Sequence, residues 1–254
     1  MNHFFEVQAS NSSTIQFGYG EQYNNVLAPD PAMIPFGIST NRGYPTTILV
    51  NMYEPGDKRK NASIFVVGDK FYPDGLSTPL KKSDGTDWTY TTTMANASRT
   101  GYNCKKYISG AQLINTQENG PANPRVLRYA EVLLIKAEAV NEIKGATDAF
   151  QYINMVRTRA GLPNLDDGSV TDQTAMRAAI WKERALELFL EGDRWFDLKR
   201  TGRLITQLIA LNTAINQPFP NNDARHWMMP IPQNEIERAV LKGTRLIIQN
   251  PIYQ

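Results

Sequence analysis

Three glutamates, Glu183, Glu187 and Glu191, recur every fourth residue within Glu183-Arg184-Ala185-Leu186-Glu187-Leu188-Phe189-Leu190-Glu191-Gly192-Asp193-Arg194-Trp195-Phe196-Asp197-Leu198-Lys199-Arg200. On a helix this spacing lines the carboxylates along one face. Paired carboxylates at a defined separation can hydrolyse a glycosidic bond, one as acid and the other as base or nucleophile. The surrounding residues point to a different use. Arg184 and Arg194 are interleaved with the acids, and Leu186, Leu188, Phe189 and Leu190 form an apolar side. An ion-pair network of i,i+3 and i,i+4 neighbours accounts for this pattern better than catalysis does. The same reading covers Arg128, Glu131 and Glu138, and Arg157 with Arg159. No catalytic residue is assigned.

Other reactive groups are sparse. Asp84-Gly85-Thr86-Asp87 and Asp166-Asp167-Gly168 are rich in oxygen, but lack the alternating ligands and distal glutamate of a calcium loop. They read as turns, and neither a metal nor a cofactor is expected. His3 and His226 are the two histidines, far apart in sequence, which leaves little material for a histidine zinc site or a Ser-His-Asp arrangement. The single cysteine, Cys104, permits no internal disulfide and reads as an inert, at least partly buried thiol. Thr100-Gly101-Tyr102-Asn103 before it is not the small, apolar run of a lipid-attachment site. Asn-Xaa-Ser/Thr triplets at Asn11, Asn61 and Asn96 arise readily in a chain rich in these residues and are not read as glycosylation sites.

The elements that must position these residues change character near Arg125. Before it, Gly, Pro, Asn, Ser and Thr recur every few residues. Short β-compatible runs are predicted at Phe4–Gln8, Thr46–Met52 and Ser63–Val67, separated by turns such as Pro55-Gly56-Asp57 and Pro73-Asp74-Gly75. So long a stretch exceeds simple connections and suits binding loops resting on a scaffold. After Arg125, the spacing predicts a helix from Val126 to Lys144, closed by Gly145. A second helix starts at an N-cap, Thr147, and stops at Gly161-Leu162-Pro163. A third covers about Asp172 to Glu191 behind a Thr171 cap, with Gly192 as its left-handed terminator, and a fourth covers about Arg203 to Ile215. Trp195, Phe196 and Leu198 are expected to anchor a short helix between them. Leu133, Ala137, Val140, Ala149, Ile153 and Val156 match the spacing of a tetratricopeptide helix hairpin.

Composition sets outer bounds. With 254 residues, of which 41% are hydrophobic and 20% charged, the chain can form one large domain or two small ones. A net charge of +2, with basic residues spread along the chain, argues against a nucleic-acid partner. No apolar run reaches the roughly 20 residues of a membrane helix. Met1 to Phe17 lacks the basic start and apolar centre of a signal peptide.

Several blocks, in order, resemble the SusD/RagB family of surface nutrient-binding lipoproteins. They are Asn2-His3-Phe4-Phe5-Glu6-Val7-Gln8, Pro45 to Glu54 with Asp57 and Arg59, and Arg128-Tyr129-Ala130-Glu131-Val132-Leu133-Leu134-Ile135-Lys136-Ala137-Glu138-Ala139. Ile153 to Pro163, the Glu183–Arg200 stretch, Pro230-Ile231-Pro232-Gln233-Asn234-Glu235-Ile236 and Gln249-Asn250-Pro251 follow. Two places depart from the family pattern, Ala239 to Thr244 and Ile252. The resemblance implies a mainly α, SusD-like fold: a tetratricopeptide-type hairpin and further helices carrying a long loop-rich region with short strands. Residues 1–124 would be the loop-rich part holding the ligand, and 125–254 the helical part of one continuous C-terminal domain. Members of this family are about twice as long, so the chain is expected to be a C-terminal half. The N-terminal tetratricopeptide half and its lipid anchor would then be missing from it.

The resemblance further implies oligosaccharide capture at the bacterial outer surface and transfer to a SusC-like TonB-dependent outer-membrane transporter, without an enzymatic step. Sugar rings stack their C–H faces on Trp and Tyr while their hydroxyls bond amides, carboxylates and guanidinium groups. The candidate ligand residues are therefore Tyr19, Tyr23, Asn41, Arg42, Tyr44, Trp88 and Tyr90, where Trp88 and Tyr90 would share one face of a strand. The competing use of these aromatics is packing the loops onto the helices. Peptide capture by the same fold and glycoside hydrolysis are the alternative functions.

Overall fold

A computed structural model describes residues 3–6, 27–30, 43–72, 77–108, 123, 125–215, 228–241 and 244–253. In chain order these form β1 (His3–Glu6), α1 (Thr47–Met52), α2 (Lys58–Ser63), β2 (Ile64–Phe65), α3 (Thr92–Ala97), β3 (Asn103–Cys104) and β4 (Arg125–Arg128). The longer helices α4 (Tyr129–Lys144), α5 (Ala146–Ala160) and α6 (Gln173–Glu187) follow. After them come α7 (Asp193–Arg200), α8 (Leu204–Ile215), α9 (Gln233–Arg238), β5 (Val240–Leu241) and β6 (Thr244–Arg245). The fold is mostly helical. Among the described residues there are three small sheets, all antiparallel pairs: β1 with β4, β2 with β3, and β5 with β6.

Glycines and caps decide where the long helices stop. Arg125 to Arg128 is extended, so the first long helix begins at Tyr129 instead of Val126. It ends at Gly145, whose φ of 96° also opens α5 directly, leaving the expected cap Thr147 inside the helix. Gly161 closes α5 at φ 82°, donating to the Thr158 carbonyl while Leu162 N–H reaches back to Arg157, both at 3.0 Å. This left-handed terminator is one that glycine alone adopts without strain. The cap of α6 is Asp172, not Thr171: its Oδ1 accepts from Ala175 N at 2.8 Å.

Two further expectations fail for physical reasons. Thr46–Met52 has the composition of a strand but forms α1, because the Thr46 hydroxyl accepts from Leu49 N at 3.2 Å and caps the turn. Val50 and Tyr53 then pack with Ile64 and Leu186 of α6. The helix expected to reach Glu191 ends four residues sooner, at Glu187. Leu190 takes φ 64° and Gly192 φ 95°, so the left-handed residue at Gly192 lies beyond the helix end. The freed carbonyls are claimed by cations: Arg128 Nη2 donates to Glu187 O at 2.6 Å and Lys106 Nζ to Phe189 O at 2.8 Å.

The chain divides into two compact units, Met1–Asp193 and Arg194–Gln254. In the first, Leu134, Ala137, Ala149, Ile153, Met176 and Ile180 form the apolar seam of α4, α5 and α6. A second core under the loops contains Phe65, Phe71, Trp88, Tyr90 and Ile108. In the second unit, the α7 positions that are buried are Asp197 and Leu198, whereas Trp195 and Phe196 are exposed and do not anchor the helix as expected. Gln249 bridges the Ile231 backbone, accepting from its N–H at 2.8 Å and donating to its carbonyl at 2.9 Å.

Candidate functional site

The three glutamates of the opening motif lie at the centre of a buried charge network whose arginines come from distant parts of the chain. Glu183 and Glu187 share a face of α6, as their spacing requires. Glu183 accepts from Arg59 Nη1 at 2.5 Å and Arg157 Nη1 at 3.3 Å. Glu187 meets Arg128 and Arg159 on one oxygen and Arg59, at 3.3 Å, on the other. Glu191 accepts from Arg128 Nε at 2.6 Å and Nη2 at 2.8 Å, and from the Lys106 ammonium. The Glu183 and Glu187 side chains are 1% and 2% exposed.

Outer residues complete the network. Asp57 forks onto Arg59 with contacts of 2.9 and 2.7 Å, a bidentate geometry that fixes the guanidinium plane. Arg157 is gripped by Glu54 at 3.1 and 3.0 Å and donates to the Pro163 carbonyl at 3.0 Å. The partners of the acids are thus long-range and not the i,i+4 neighbours the sequence suggested. Burial pushes the Glu183 carboxyl above its ordinary value even against the pull of Arg59 and Arg157. For Glu187 burial acts the same way, but Arg128 and Arg159 outweigh it and hold the carboxyl low. In Glu183, Glu187 and Glu191 both carboxylate oxygens accept from a guanidinium or ammonium group.

Beside this network opens a cavity of about 470 Å³. Its charged lining comprises Lys58, Arg59, Lys106, Arg125, Arg128 and Arg159, opposed by Glu187 and Glu191, with Ala62, Ala160 and Leu186 as apolar wall. The end of α5 and the start of α2 bring Lys58 there, its stem running past Gly161. Arg125 comes from β4 and lies over the Tyr107 ring at 5.3 Å. Lys58, Lys106 and Arg125 carried no local signal in the sequence, since their convergence depends on how α2, β4 and the segment after β3 meet.

Of the sequence-predicted ligand residues, Tyr19, Tyr23, Asn41 and Arg42 lie outside the described residues. Tyr44 is half-buried, directly after Gly43. Gly43 is at φ 77°, and a Cβ there would meet Leu27 at 2.7 Å, so the backbone entering Tyr44 is closely fitted. Trp88 and Tyr90 share one face of an extended segment, but that face is turned inward and both are 0% exposed. Phe65 sits 5.3 Å from the Trp88 ring and 5.6 Å from Tyr90. The Trp88 indole N–H donates to Asp30 at 2.8 Å and the Tyr90 hydroxyl to Asn103 at 2.5 Å. Neither offers a ring face to a ligand here, so in place of the expected ligand contact both take the competing role of packing. The turn acids are occupied locally: Asp84 accepts from Thr86 N at 2.9 Å, and Asp166 from Ser169 N at 2.9 Å. Cys104 is buried, its thiol donating to the Gly43 carbonyl at 2.5 Å, and burial pushes it up to about 12.

The sequence profile of the SusD family (SusD_RagB) matches residues 37–253. The chain belongs to the SusD family. Among curated SusD-like proteins, P2 of Formosa agariphila is 37% identical over 158 residues, which is 58% of this chain and 30% of that protein. SusD-like protein P25 of the same organism is 38% identical over 120 residues, 47% of this chain and 23% of that protein. Among solved structures, surface glycan-binding protein A of Bacteroides fluxus is 26% identical and aligns with a TM-score of 0.66 over 98% of this chain and 50% of its own. The same-named protein of Bacteroides thetaiotaomicron, in complex with laminarihexaose, is 23% identical and aligns with a TM-score of 0.65 over 98% and 51%. The SusD-type chain described here therefore spans about half the length of these solved relatives. No helix among its described residues is long and apolar enough to cross a membrane.

Proposed function

We propose that this chain binds oligosaccharide at the bacterial outer surface and delivers it to a SusC-like TonB-dependent transporter for nutrient uptake. One observation carries the reading. The fold aligns over 98% of the chain with a protein whose structure holds laminarihexaose. The charge network supports it by supplying a rigid body for loops, with acids neutralised by arginines instead of poised for bond cleavage. Binding, with no covalent step, is the function of such a site. Ligand contact is assigned to the segments before Arg125: Tyr44, with Tyr19, Tyr23, Asn41 and Arg42 as the sequence suggests, while Trp88 and Tyr90 pack in the core with Phe65 and Phe71. Membrane attachment in this reading comes through a lipid anchor contributed by an N-terminal half.

Affinity in such sites comes from stacking and a few directional hydrogen bonds in a largely preformed pocket. Weak single-site affinity is compensated by the high local concentration that surface attachment creates. A glycan array run beside a matched peptide panel tests the assignment. Glycan hits that weaken in a Tyr44→Ala variant are expected, and hits confined to peptides would overturn it.

A further inference from the structure

The cavity beside the charge network holds more positive charge than its walls neutralise. Six cations line it against two carboxylates, Glu187 and Glu191. Asp57 and Glu183, behind the wall, also pair with Arg59. Counting them still leaves two cations in excess. Of the six cations, Lys58 and Arg125 have no ion pair among the described residues, and the Arg125 Nε, though buried, has no hydrogen-bond partner. Lys58 is exposed and Arg125 half-buried, whereas the fully paired Arg128 is 3% exposed. The unneutralised charge is therefore the part that an entering molecule can reach.

We propose that this cavity takes the anionic substituent of an acidic glycan, a carboxylate or a sulfate carried on a sugar ring. The inference rests on the glycan-binding reading and narrows its substrate class. The size is suitable, since about 470 Å³ falls within the roughly 300–1,000 Å³ of small-ligand sites. Arg125 supplies a planar fork matched to two oxygens of such a group, and the Tyr107 ring beneath holds that fork in place. Lys58 adds a mobile point charge at the rim. Paired Arg59, Arg128 and Arg159 form a fixed positive wall that attracts an anion without releasing their own carboxylates. Ala62, Ala160 and Leu186 leave an apolar surface for the C–H face of the ring.

Calorimetric titration with three oligosaccharides of equal length, one neutral, one uronate-bearing and one sulfated, tests this. Each is measured at low and high salt with the native chain, Lys58→Gln and Arg125→Gln. An acidic oligosaccharide is expected to bind at least about tenfold more tightly than the neutral one, and each variant to lose about tenfold, the size of one charged hydrogen bond. High salt is expected to weaken the acidic ligand alone. A response to only one of the two acids supports the inference and identifies the anion. Equal affinity for neutral and acidic sugars, or an acidic preference that survives both variants, overturns it and leaves glycan binding standing. No heat from any of the three overturns both. Lys58 is exposed, so Lys58→Gln reports on binding even if Arg125→Gln fails to fold.

Discussion

Replacing Glu187 with glutamine removes one charge from the centre of the network and conserves its shape. The carboxylate is 2% exposed and touches Arg59, Arg128 and Arg159. Taking one partner from a buried pair costs about 3–5 kcal/mol, because the other charge stays buried without compensation. Here the remaining partners differ. Arg159, 38% exposed, can turn to water, and Arg59 keeps Asp57 and Glu183. Arg128, 3% exposed, keeps Glu191. The cost should therefore fall at the low end, about 3 kcal/mol. For a chain of this size each kcal/mol moves Tm by about 2–4 °C, so thermal unfolding followed by circular dichroism should show a drop of about 6–12 °C. Glu142→Gln provides the reference. Its pair with Arg177 is exposed to solvent, where an ion pair contributes little to stability. Equal Tm losses for Glu187→Gln and Glu142→Gln would refute the idea that the network holds the scaffold together.

Trp88→Ala should cost about 3–5 kcal/mol in urea unfolding, from the cavity left in a core shared with Phe65 and Phe71 and the lost bond to Asp30; a cost below 1 kcal/mol would return Trp88 to the surface. Arg157, helped by Lys182, holds the Glu54 carboxyl down at about 2, so its stabilisation is full above pH 4.5 and disappears as pH falls from there towards 2. Solvent reaches this side chain, 31% exposed, which reduces the contribution to about 1–2 kcal/mol. Stability measured against pH should accordingly fall less steeply below 4.5 in Glu54→Gln than in the native chain, and superimposable acid limbs would disprove it.

The helical hairpin was legible because Leu133, Ala137, Ile153 and Val156 keep a helical period and Gly145 and Gly161 mark its ends. Thr46–Met52 was not, since Thr, Ile and Val favour a strand in isolation, while a hydroxyl cap and a seat against Leu186 decide for a helix. The end of α6 was hidden because the Glu187 carbonyl at its end and the Phe189 carbonyl just beyond are taken by Arg128 and Lys106, 59 and 83 residues away. The same blindness applied to the ion pairs. Glu183 and Glu187 announced a charged helix face, but Arg59 lies 124 and 128 residues distant, beyond any i,i+4 pattern. Alternation told correctly that Trp88 and Tyr90 share a face, and could not tell that Phe65 and Phe71 would cover it. Lys58 and Arg125 had no pattern to betray them, because the cavity exists only where separate elements meet.

The most direct measurement is a crystal structure of the chain with whichever oligosaccharide the array selects. The expected result is a sugar held by the segments before Arg125 and by Lys58 and Arg125, which have no ion pair among the described residues, with Glu183, Glu187 and Glu191 still bonded to their arginines and lysine. A sugar whose glycosidic oxygen sits within hydrogen-bond reach of Glu183 or Glu187, released from their arginines, would contradict a binding scaffold and point to hydrolysis.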